Sequence, residues 1–385
     1  MRKINLLYVI TKLELGGAQK QLLSLISHLN RERFSPFLFT AKDGLLLPEA
    51  LSINGLRIKR SRFLERPINP LKDLLALIEI YFFIKKNKIE IVHTHSSKAG
   101  ILGRWAARLA NVPVIVHTIH GWPFHQWQNP IIRQFYIFLE HLTAKVTHSL
   151  VAVCEHDIEK GIKFKISGRR KYTLIHYGID KEKFTDYNNF LNKREELNIN
   201  PNQAVVGMVA CLKPQKSPQD YIKAVSLVIK LFPRTKFLLI GDGILRPKIE
   251  RLIKRLKLNE YIMLTGWRKD IPQLLSTIDI FVLTSLWEGL SIAVLEALAS
   301  KKPVVATSTG GIAEIIRERQ NGFLIPPKNI NLLADRLITL LRDDALRNKM
   351  AEEAKNSIGL EFSLGHMVNR TQGLYENLIE GRKTW

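Results

Sequence analysis

The chain contains little cysteine and no long apolar run. Of its 385 residues only Cys154 and Cys211 are cysteines, and their spacing fits neither a metal site nor a redox pair. So few cysteines are typical of a reducing compartment, where no disulfide is needed. Apolar residues never continue for about 18 positions, because Glu79 and the pair Lys85 and Lys86 interrupt the best candidate. We therefore expect a cytoplasmic protein without a membrane-spanning helix.

The N-terminal segment lacks the features of a secretion signal. Its apolar run at 6–10 is too short, and no small-residue cleavage site follows it. This run instead predicts the first buried strand. The chain also has no low-complexity segment and no short repeat. Its 46% of hydrophobic residues are enough to bury large cores.

Acidic side chains are scarce relative to basic ones. The chain has 58 Lys and Arg against 35 Asp and Glu, a formal charge of +23, and up to Glu195 the numbers are 31 and 16. This excess predicts an anionic partner or surface, although the general composition of the source organism would produce it too. Aromatic residues are 8% and no nucleic-acid-binding motif occurs, so we expect no nucleic-acid partner.

Strand-like and helix-like patterns alternate along the chain, which is typical of parallel sheets covered by helices. The length suits two α/β domains, and a polar stretch at 186–203 indicates a linker. We predict a first domain over 1–188, a second over 189–361, and a final amphipathic helix over 362–385. Strands are expected at 5–10, 34–39, 89–93, 114–118, 149–153, 172–175, 205–210, 236–240, 262–264, 280–283 and 303–306.

Two glutamates eight positions apart, Glu288 and Glu296, are the most informative feature. A strand-like run precedes Glu288 and a helical pattern follows it, so Glu296 lies about two turns further on nearly the same face. The helix start between them offers backbone N–H groups that suit an anion, from Gly289, Leu290 and Ser291. Backbone amides suit a phosphate and carboxylates suit hydroxyl groups, and a sugar nucleotide carries both. The alternative is an ordinary capped helix with solvated glutamates.

A glycine between the glutamates and the following S-T-G-G-I-A-E-I-I run complete this segment. It resembles the donor-binding signature of the retaining glycosyltransferases of family 4, and the resemblance extends over nearly the whole chain. It implies the GT-B fold: two facing Rossmann-like domains with parallel sheets, an interdomain cleft, and a last helix that packs back on the first domain. It also implies that Glu288 holds sugar hydroxyls and Glu296 the ribose.

The loop C-L-K-P-Q-K-S-P follows the first strand of the second domain. The family usually has an arginine and a lysine here that clamp the diphosphate. Lys216 matches the lysine, but Cys211 occupies the arginine position. A cysteine cannot supply the bidentate fork of a guanidinium. We therefore expect Lys213 to join Lys216 in binding the donor, the alternative being a solvated loop lysine.

Two further loops are expected to touch the donor. Gly16 and Gly17 follow the first strand and open a helix, where the backbone can approach a phosphate or sugar closely. They resemble the G-G-A loop of the family, although a plain strand-to-helix turn would look the same. Gly266, Trp267 and Arg268 follow another strand, and the resemblance places this loop beside the nucleobase.

Histidines occur at two predicted strand ends, as His93 with His95 and as His117 with His120. The second pair does not share a strand face, no cysteine or carboxylate completes a zinc site, and no D-x-D-like site stands out, so we expect no metal. The resemblance implies that His120 reaches the donor sugar near the reacting carbon. It puts His95, and likewise Lys98, on the acceptor side. A structural role is the alternative for these histidines.

Two segments of the first domain, 71–84 and 130–142, are unusually apolar and lie close to basic residues, among them Lys85, Lys86 and Arg133. Such helices are buried in a core, or they lie in a membrane interface with their cations on anionic lipid. We expect peripheral attachment to the inner face of the cell membrane.

Taken with the residues, the resemblance implies a metal-independent retaining glycosyltransferase, with His120, Lys216 and Glu288 at its catalytic centre. A nucleoside diphosphate sugar, with UDP favoured, is its co-substrate and no other cofactor is expected. The acceptor is a lipid-linked or cell-surface polysaccharide intermediate. The alternatives are a sugar-nucleotide 2-epimerase of GT-B fold or, more weakly, a non-catalytic protein that binds nucleotides or nucleic acid. The sequence leaves the base, the sugar and the acceptor open.

Overall fold

A computed structural model describes residues 2–184 and 190–383. The chain forms two compact units: Met1–Gly178 together with Leu364–Trp385, and Ile179–Ser363. The units change at 178, ten residues before the predicted boundary at 188, which lies outside the described residues. The final helix belongs to the first unit, as the resemblance implied.

In the described part of the first unit, seven parallel strands form a sheet of order β3-β2-β1-β4-β5-β6-β7. Its strands are β1 (Ile4–Ile10), β2 (Phe34–Ala41), β3 (Arg57–Ser61), β4 (Ile91–His95), β5 (Val114–Ile119), β6 (Ser149–Ala152) and β7 (Tyr172–Leu174). Its helices are α1 (Gly17–Ser27), α2 (Leu47–Leu51), α3 (Pro70–Lys86), α4 (Ser97–Leu109), α5 (Pro130–Lys145), α6 (Glu155–Lys163) and, at the C-terminus, α15 (Leu364–Lys383).

The described part of the second unit contains six parallel strands in the order β10-β9-β8-β11-β12-β13. They are β8 (Val205–Val209), β9 (Lys236–Ile240), β10 (Ile262–Gly266), β11 (Ile280–Leu283), β12 (Val304–Thr307) and β13 (Gly322–Ile325). The helices are α7 (Phe190–Glu196), α8 (Pro218–Val228), α9 (Arg246–Arg255), α10 (Ile271–Ser276), α11 (Ile292–Ala299), α12 (Ile312–Ile315), α13 (Ile330–Arg342) and α14 (Asp344–Asn356). Short 3-10 turns cover Arg169–Lys171, Lys181–Phe184, Pro214–Lys216 and Leu360–Phe362.

The α/β fold class predicted from the alternating pattern is confirmed, but two strands were missed. Both β3 and β13 are sheet edges, and β13 is a run of only four residues, G-F-L-I. In β3 the residues are R-I-K-R-S, which include a single apolar side chain. Strand β4 ends at His95 rather than His93, because its whole run Ile91–His95 is buried.

The predicted linker at 186–203 is wrong in part, since its residues 190–196 form α7, while 186–189 lie outside the described residues. Arg194 of this helix is buried and donates hydrogen bonds to the carbonyl oxygens of Asn200, Pro201 and Gln203 at 2.8–3.2 Å. It also forms an ion pair with Asp279 at 3.2 Å. These bonds fix the polar stretch to the second unit. Within the described residues, no helix has both the length and the apolar character needed to cross a bilayer.

Candidate functional site

The loops after β8 and β11 are joined by hydrogen bonds at the carboxyl ends of their strands. Thr284, directly after β11, donates its hydroxyl proton toward the carbonyl oxygens of Lys216 and Ser217, both at 2.9 Å. The backbone N–H of Leu286 donates to the carbonyl oxygen of Gln215 at 2.7 Å. Ligands of open parallel sheets bind at this end of the strands. The two loops therefore present their side chains at the expected edge.

Lys216 and Glu288, which the sequence assigned separately to phosphate and sugar, are in direct contact. The Lys216 ammonium donates to Glu288 Oε1, and the Ser285 hydroxyl donates to the same oxygen at 2.5 Å. Gln215 Nε2 donates to the Trp287 carbonyl oxygen at 2.9 Å and lies 3.5 Å from Glu288 Oε2. The carboxylate side chain is 7% exposed and the lysine side chain 17%. A charged pair thus stands at the edge of the second sheet, held in one orientation.

The helix after Glu288 starts later than predicted, so Gly289 and Leu290 lie before its N-cap. Helix α11 begins at Ile292, with extended Ser291 as its N-cap, and the Ser291 side chain makes no capping hydrogen bond. The Gly311 N–H donates to the carbonyl oxygen of Gly289 at 2.7 Å. Gly310 has φ +55°, and a Cβ there would lie 2.2 Å from the Glu288 carbonyl oxygen. A glycine at 310 is therefore required for the close approach that shapes this turn.

Two further residues predicted to bind the donor, Glu296 and Lys213, lie close in sequence to Glu288 and Lys216. Glu296 is half-buried in the second turn of α11, and Lys213 is half-buried just before the turn Pro214–Lys216. Cys211 is also half-buried and free of a disulfide. That Lys213 replaces the arginine missing at Cys211 stays a prediction.

The loop Gly266–Arg268 follows β10 and contains an ion-pair network. Gly266 has φ +70°, a left-handed conformation that favours glycine, and Trp267 is 39% exposed. The Arg268 guanidinium donates to Asp270 at 2.5 and 2.7 Å and to Glu196 at 2.7 Å. These hydrogen bonds raise the pKa of Arg268 and lower that of Asp270. Arg268 is thus already bonded to two carboxylates, while Trp267 offers an exposed ring.

In the first unit, Gly16 and Gly17 open α1 as predicted. Gly17 is the first helical residue, and Gly16 is its extended N-cap. The first N–H groups of a helix have no partner within the helix, so this end suits an anionic or hydroxyl-bearing group. Further along α1, the side-chain amide of Gln21 exchanges two hydrogen bonds with the Gly178 backbone, at 2.8 and 3.0 Å.

Three histidines form one cluster at the carboxyl ends of β4 and β5, in which His93 and His95 are buried and His120 is half-buried. His95 Nδ1 and His120 Nε2 are 2.8 Å apart, and His120 Nδ1 lies 2.7 Å from the Tyr177 hydroxyl. The His93 ring packs on the His95 ring with centroids 4.3 Å apart. Burial lowers the pKa of His93 and of His120 to about 3 and lowers that of His95, so all three rings are neutral near pH 7.

Lys98, assigned to the acceptor side, is bonded within its own unit. Its ammonium donates to Asp73 Oδ1 at 2.5 Å and to the Pro67 carbonyl oxygen, which ties α4 to α3. His117 likewise bonds Thr94, at 2.8 Å. Among the residues that the structure describes, no group of three or more His, Cys, Asp or Glu side chains could hold a metal ion.

Sequence reasoning missed the partners of these groups. Ser285 and Gln215 hold Glu288, whereas Tyr177 and Tyr375 bond the histidines. Gln215 and Ser285 lie in loops already singled out, so their positions were a usable signal. Tyr375 lies 282 positions from His93, and no local pattern relates the two.

The chain matches two models of protein families: Glycosyltransferase Family 4 over residues 15–183 and Glycosyl transferases group 1 over 189–357. It is 34% identical to the UDP-Gal:alpha-D-GlcNAc-diphosphoundecaprenol alpha-1,3-galactosyltransferase of Escherichia coli over 98% of each chain. It is 25% identical to a Campylobacter jejuni N,N'-diacetylbacillosaminyl-diphospho-undecaprenol alpha-1,3-N-acetylgalactosaminyltransferase, over 85% of this chain and 87% of that one.

The fold is similar to that of HepE from Anabaena, crystallised with UDP and glucose. The TM-score is 0.85 at 21% identity, covering 97% of this chain and 100% of that chain. Three findings point to the same family. They are the 34% identity to the Escherichia coli enzyme, the two family models that together cover most of the chain, and the two parallel-sheet units. The chain belongs to the group 1, family 4 glycosyltransferases and has their GT-B fold.

Proposed function

We propose that the protein transfers a sugar from a nucleoside diphosphate sugar to a lipid-linked acceptor, with retention of anomeric configuration. The contact between Lys216 and Glu288 carries this proposal. In such a donor one oxygen joins the outer phosphate to the sugar, so groups that bind phosphate and sugar hydroxyls must be neighbours. A lysine beside a glutamate, next to the N-terminus of α11, matches that junction.

The proposed reaction breaks the bond between the anomeric carbon and the diphosphate oxygen. The acceptor hydroxyl oxygen forms the new bond to that carbon on the same face, and its proton passes to the leaving diphosphate. Lys216, Lys213 and the N–H groups of residues 289–291 stabilise the charge that develops on the diphosphate. Glu288 positions the sugar hydroxyls and His120 contacts the sugar near the reacting carbon. No protein nucleophile is required.

Relatives support the choice of donor and acceptor. The name of the Escherichia coli relative specifies a UDP-linked sugar and an undecaprenol-linked diphosphate acceptor, and the Campylobacter jejuni relative acts on a diphospho-undecaprenol acceptor. The similarly folded HepE was crystallised with UDP. We therefore assign a UDP-sugar as donor, with Glu296 on its ribose and Gly16, Gly17 and the loop 266–268 around it.

Exposed apolar residues on two helices support action at the inner face of the membrane. Helix α4 packs against both α3 and α5. The outer sides of these two helices expose Leu71, Leu74, Ile78, Phe82, Ile131, Ile132, Phe135 and Phe138. The exposed Lys85 and Lys86 end α3. Apolar side chains beside cations match a bilayer surface that contains anionic lipid.

A donor panel followed by a transfer assay tests the proposed function. UDP-, GDP- and ADP-sugars are screened by thermal unfolding, where a ligand at about 100 times its Kd adds about 2.7 kcal/mol. The stabilising donor is then incubated with a polyprenyl-diphosphate sugar, and the anomeric configuration of the product is read by NMR. An inverted product contradicts retention. A donor that is epimerised at carbon 2 without any acceptor supports the epimerase alternative instead.

A further inference from the structure

The C-terminal helix reaches the histidine cluster of the first unit through one tyrosine. Tyr375 of α15 is fully buried, and its hydroxyl lies 2.5 Å from His93 Nδ1 and 3.3 Å from the Tyr8 hydroxyl. The other nitrogen of His93, Nε2, lies 2.7 Å from the Thr118 hydroxyl. Both nitrogens of His93 are therefore bonded, and its ring is fixed from two sides.

The fixed His93 ring supports His95. The two residues are i and i+2 on β4, so their side chains share one face of the sheet, and their ring centroids are 4.3 Å apart. The Tyr8 ring contacts both, at 5.8 and 6.0 Å. His95 in turn stacks on His120 with centroids 5.1 Å apart. Contacts thus continue without interruption from α15 to His120.

We propose that His95 is a positioning residue that fixes the tautomer and the orientation of His120, and that Tyr375 holds His95 in place through His93. The inference rests on the proposed role of His120 at the donor sugar. It makes the last helix of the chain part of the site around His120.

The tautomer follows from hydrogen-bond accounting. Two neutral ring nitrogens that face each other at 2.8 Å share a single proton, so His95 and His120 are coupled. The buried His95 Nε2 has no partner among the described residues. A buried N–H without an acceptor is rarer than an unused lone pair, so His95 carries its proton on Nδ1 and donates it to His120 Nε2. His120 is then protonated on Nδ1 and donates to the Tyr177 oxygen.

Two pairs of variants separate positioning from stability. The amide of His95→Asn occupies the place of Nδ1 and keeps a donor toward His120, whereas the amide of His95→Gln occupies the place of Nε2 and loses it. Tyr375→Phe removes only the hydroxyl. Its matched control is Tyr221→Phe in the second unit, where an equally buried hydroxyl donates to the Val206 carbonyl oxygen at 2.8 Å.

Two measurements are made on each variant: the ring-nitrogen NMR spectrum of 15N-histidine-labelled protein, and kcat and KM for sugar transfer. We expect wild type and His95→Asn to show His120 protonated on Nδ1, and His95→Gln to show a mixture of tautomers. Since a neutral hydrogen bond contributes about 0.5–1.5 kcal/mol, Tyr375→Phe and His95→Gln should lower kcat roughly 2- to 10-fold at nearly constant donor KM. His95→Asn should lower kcat clearly less than His95→Gln does, and Tyr221→Phe should retain wild-type kcat.

Equal kcat values and equal tautomers in His95→Asn and His95→Gln would overturn the inference. So would an equal loss of kcat in Tyr375→Phe and Tyr221→Phe, because that loss would come from stability alone. The NMR arm needs no substrate. If the wild type transfers no sugar, the proposed function fails while the coupling of His95 to His120 is still decided by the spectra.

Discussion

The Lys216 ammonium and the Glu288 carboxylate form an ion pair across two loops that lie 72 positions apart in the chain. Each loop follows a central strand of the second sheet, and the Ser285 hydroxyl completes the bonds to the same carboxylate oxygen. The pair orients both charges before any ligand binds. Electrostatic preorganisation of this kind spares the reaction the cost of reorienting its charged groups.

The pair makes a first prediction about stability. Lys216→Met should destabilise the second unit by about 1–3 kcal/mol, because it leaves a nearly buried carboxylate without its cation. Adding Glu288→Gln should recover most of that loss, since a neutral amide needs no counter-charge, yet transfer activity should stay low. Urea unfolding of the single and double variants measures this. A double variant that is no more stable than Lys216→Met would mean that the ion pair contributes little.

Lys213 is predicted to compensate for the missing arginine. Lys213→Ala should weaken binding of UDP-sugar about as much as Lys216→Ala, because Cys211 gives the diphosphate no charge-assisted bond. Lys223→Ala, which removes an exposed lysine on α8, is the matched control and should bind normally. Calorimetric titration compares the three variants. A silent Lys213→Ala beside a severe Lys216→Ala contradicts the compensation.

The two glutamates are predicted to act on different parts of one donor. Each should make charge-assisted hydrogen bonds of about 1.5–3 kcal/mol, so removal of one costs roughly 10- to 100-fold. Glu296→Gln should weaken binding of UDP and of UDP-sugar alike, because both contain the ribose. Glu288→Gln should leave the affinity for UDP nearly unchanged and lower turnover, because its partners are sugar hydroxyls.

Titration with UDP and turnover measurements, with folding checked by thermal melts, distinguish the roles of the two glutamates. The ion pair adds one complication that the structure makes explicit: Glu288→Gln also frees Lys216 from its partner. A modest gain in UDP affinity for this variant is therefore compatible with the prediction. If Glu288→Gln and Glu296→Gln both retained wild-type affinity and turnover, the segment would be an ordinary helix start without a role in donor binding.

Much of the fold could be predicted from the sequence because central parallel strands are buried on both faces and appear as continuous apolar runs. The predicted strands 236–240 and 280–283 match β9 and β11 in full. Strand β3 was missed because an edge strand tolerates Arg and Lys on its open side. Helix α7 was missed because Arg194 is held by backbone carbonyl oxygens rather than by an apolar face.

The sequence predicted which residues of each loop belong to the candidate site, but not which loops contact each other. Resemblance singled out Lys216 and Glu288, but their contact depends on how β8 and β11 pair in the sheet, which no local pattern encodes. The same holds for Tyr375 and His93, which meet through the return of the chain to the first unit. Spacing predicts residues on one element, whereas contacts between distant elements are decided by tertiary packing.

His93 and His120 predict a loss of stability in mild acid. His93 and His120 have a pKa of about 3 in the folded protein, against about 6.5 for an unfolded histidine, so the unfolded chain binds more protons between these values. The two neutral histidines contribute fully to the free energy of unfolding above pH 6.5. This contribution is lost as the pH falls from 6.5 toward 3. At pH 5 each of the two histidines should lower the free energy of unfolding by about 2 kcal/mol. Urea unfolding at pH 7, 6 and 5 measures the slope; a flat profile in this window contradicts burial of neutral rings.

Membrane attachment through α3 and α5 gives the last prediction, for which the chain offers a matched control. Ile131 on α5 and Ile244 in the second unit are both 81% exposed, so replacing either with Asn changes the folded protein to a similar extent. Only Ile131 belongs to the proposed membrane face. Burial of such a side chain in a bilayer contributes about 1.5–3 kcal/mol, so Ile131→Asn should weaken vesicle binding roughly 10-fold or more. Ile244→Asn should bind like wild type.

Lipid charge completes the test. Each lysine near an anionic surface contributes about 1 kcal/mol, so the double variant Lys85→Gln with Lys86→Gln should lose affinity on anionic vesicles and lose little on neutral ones. Co-sedimentation with vesicles of increasing anionic lipid content measures both terms. Equal binding of wild type to neutral and anionic vesicles would remove the electrostatic part of the proposal. Equal losses for Ile131→Asn and Ile244→Asn would remove the apolar part, since a membrane face has to distinguish one exposed isoleucine from the other.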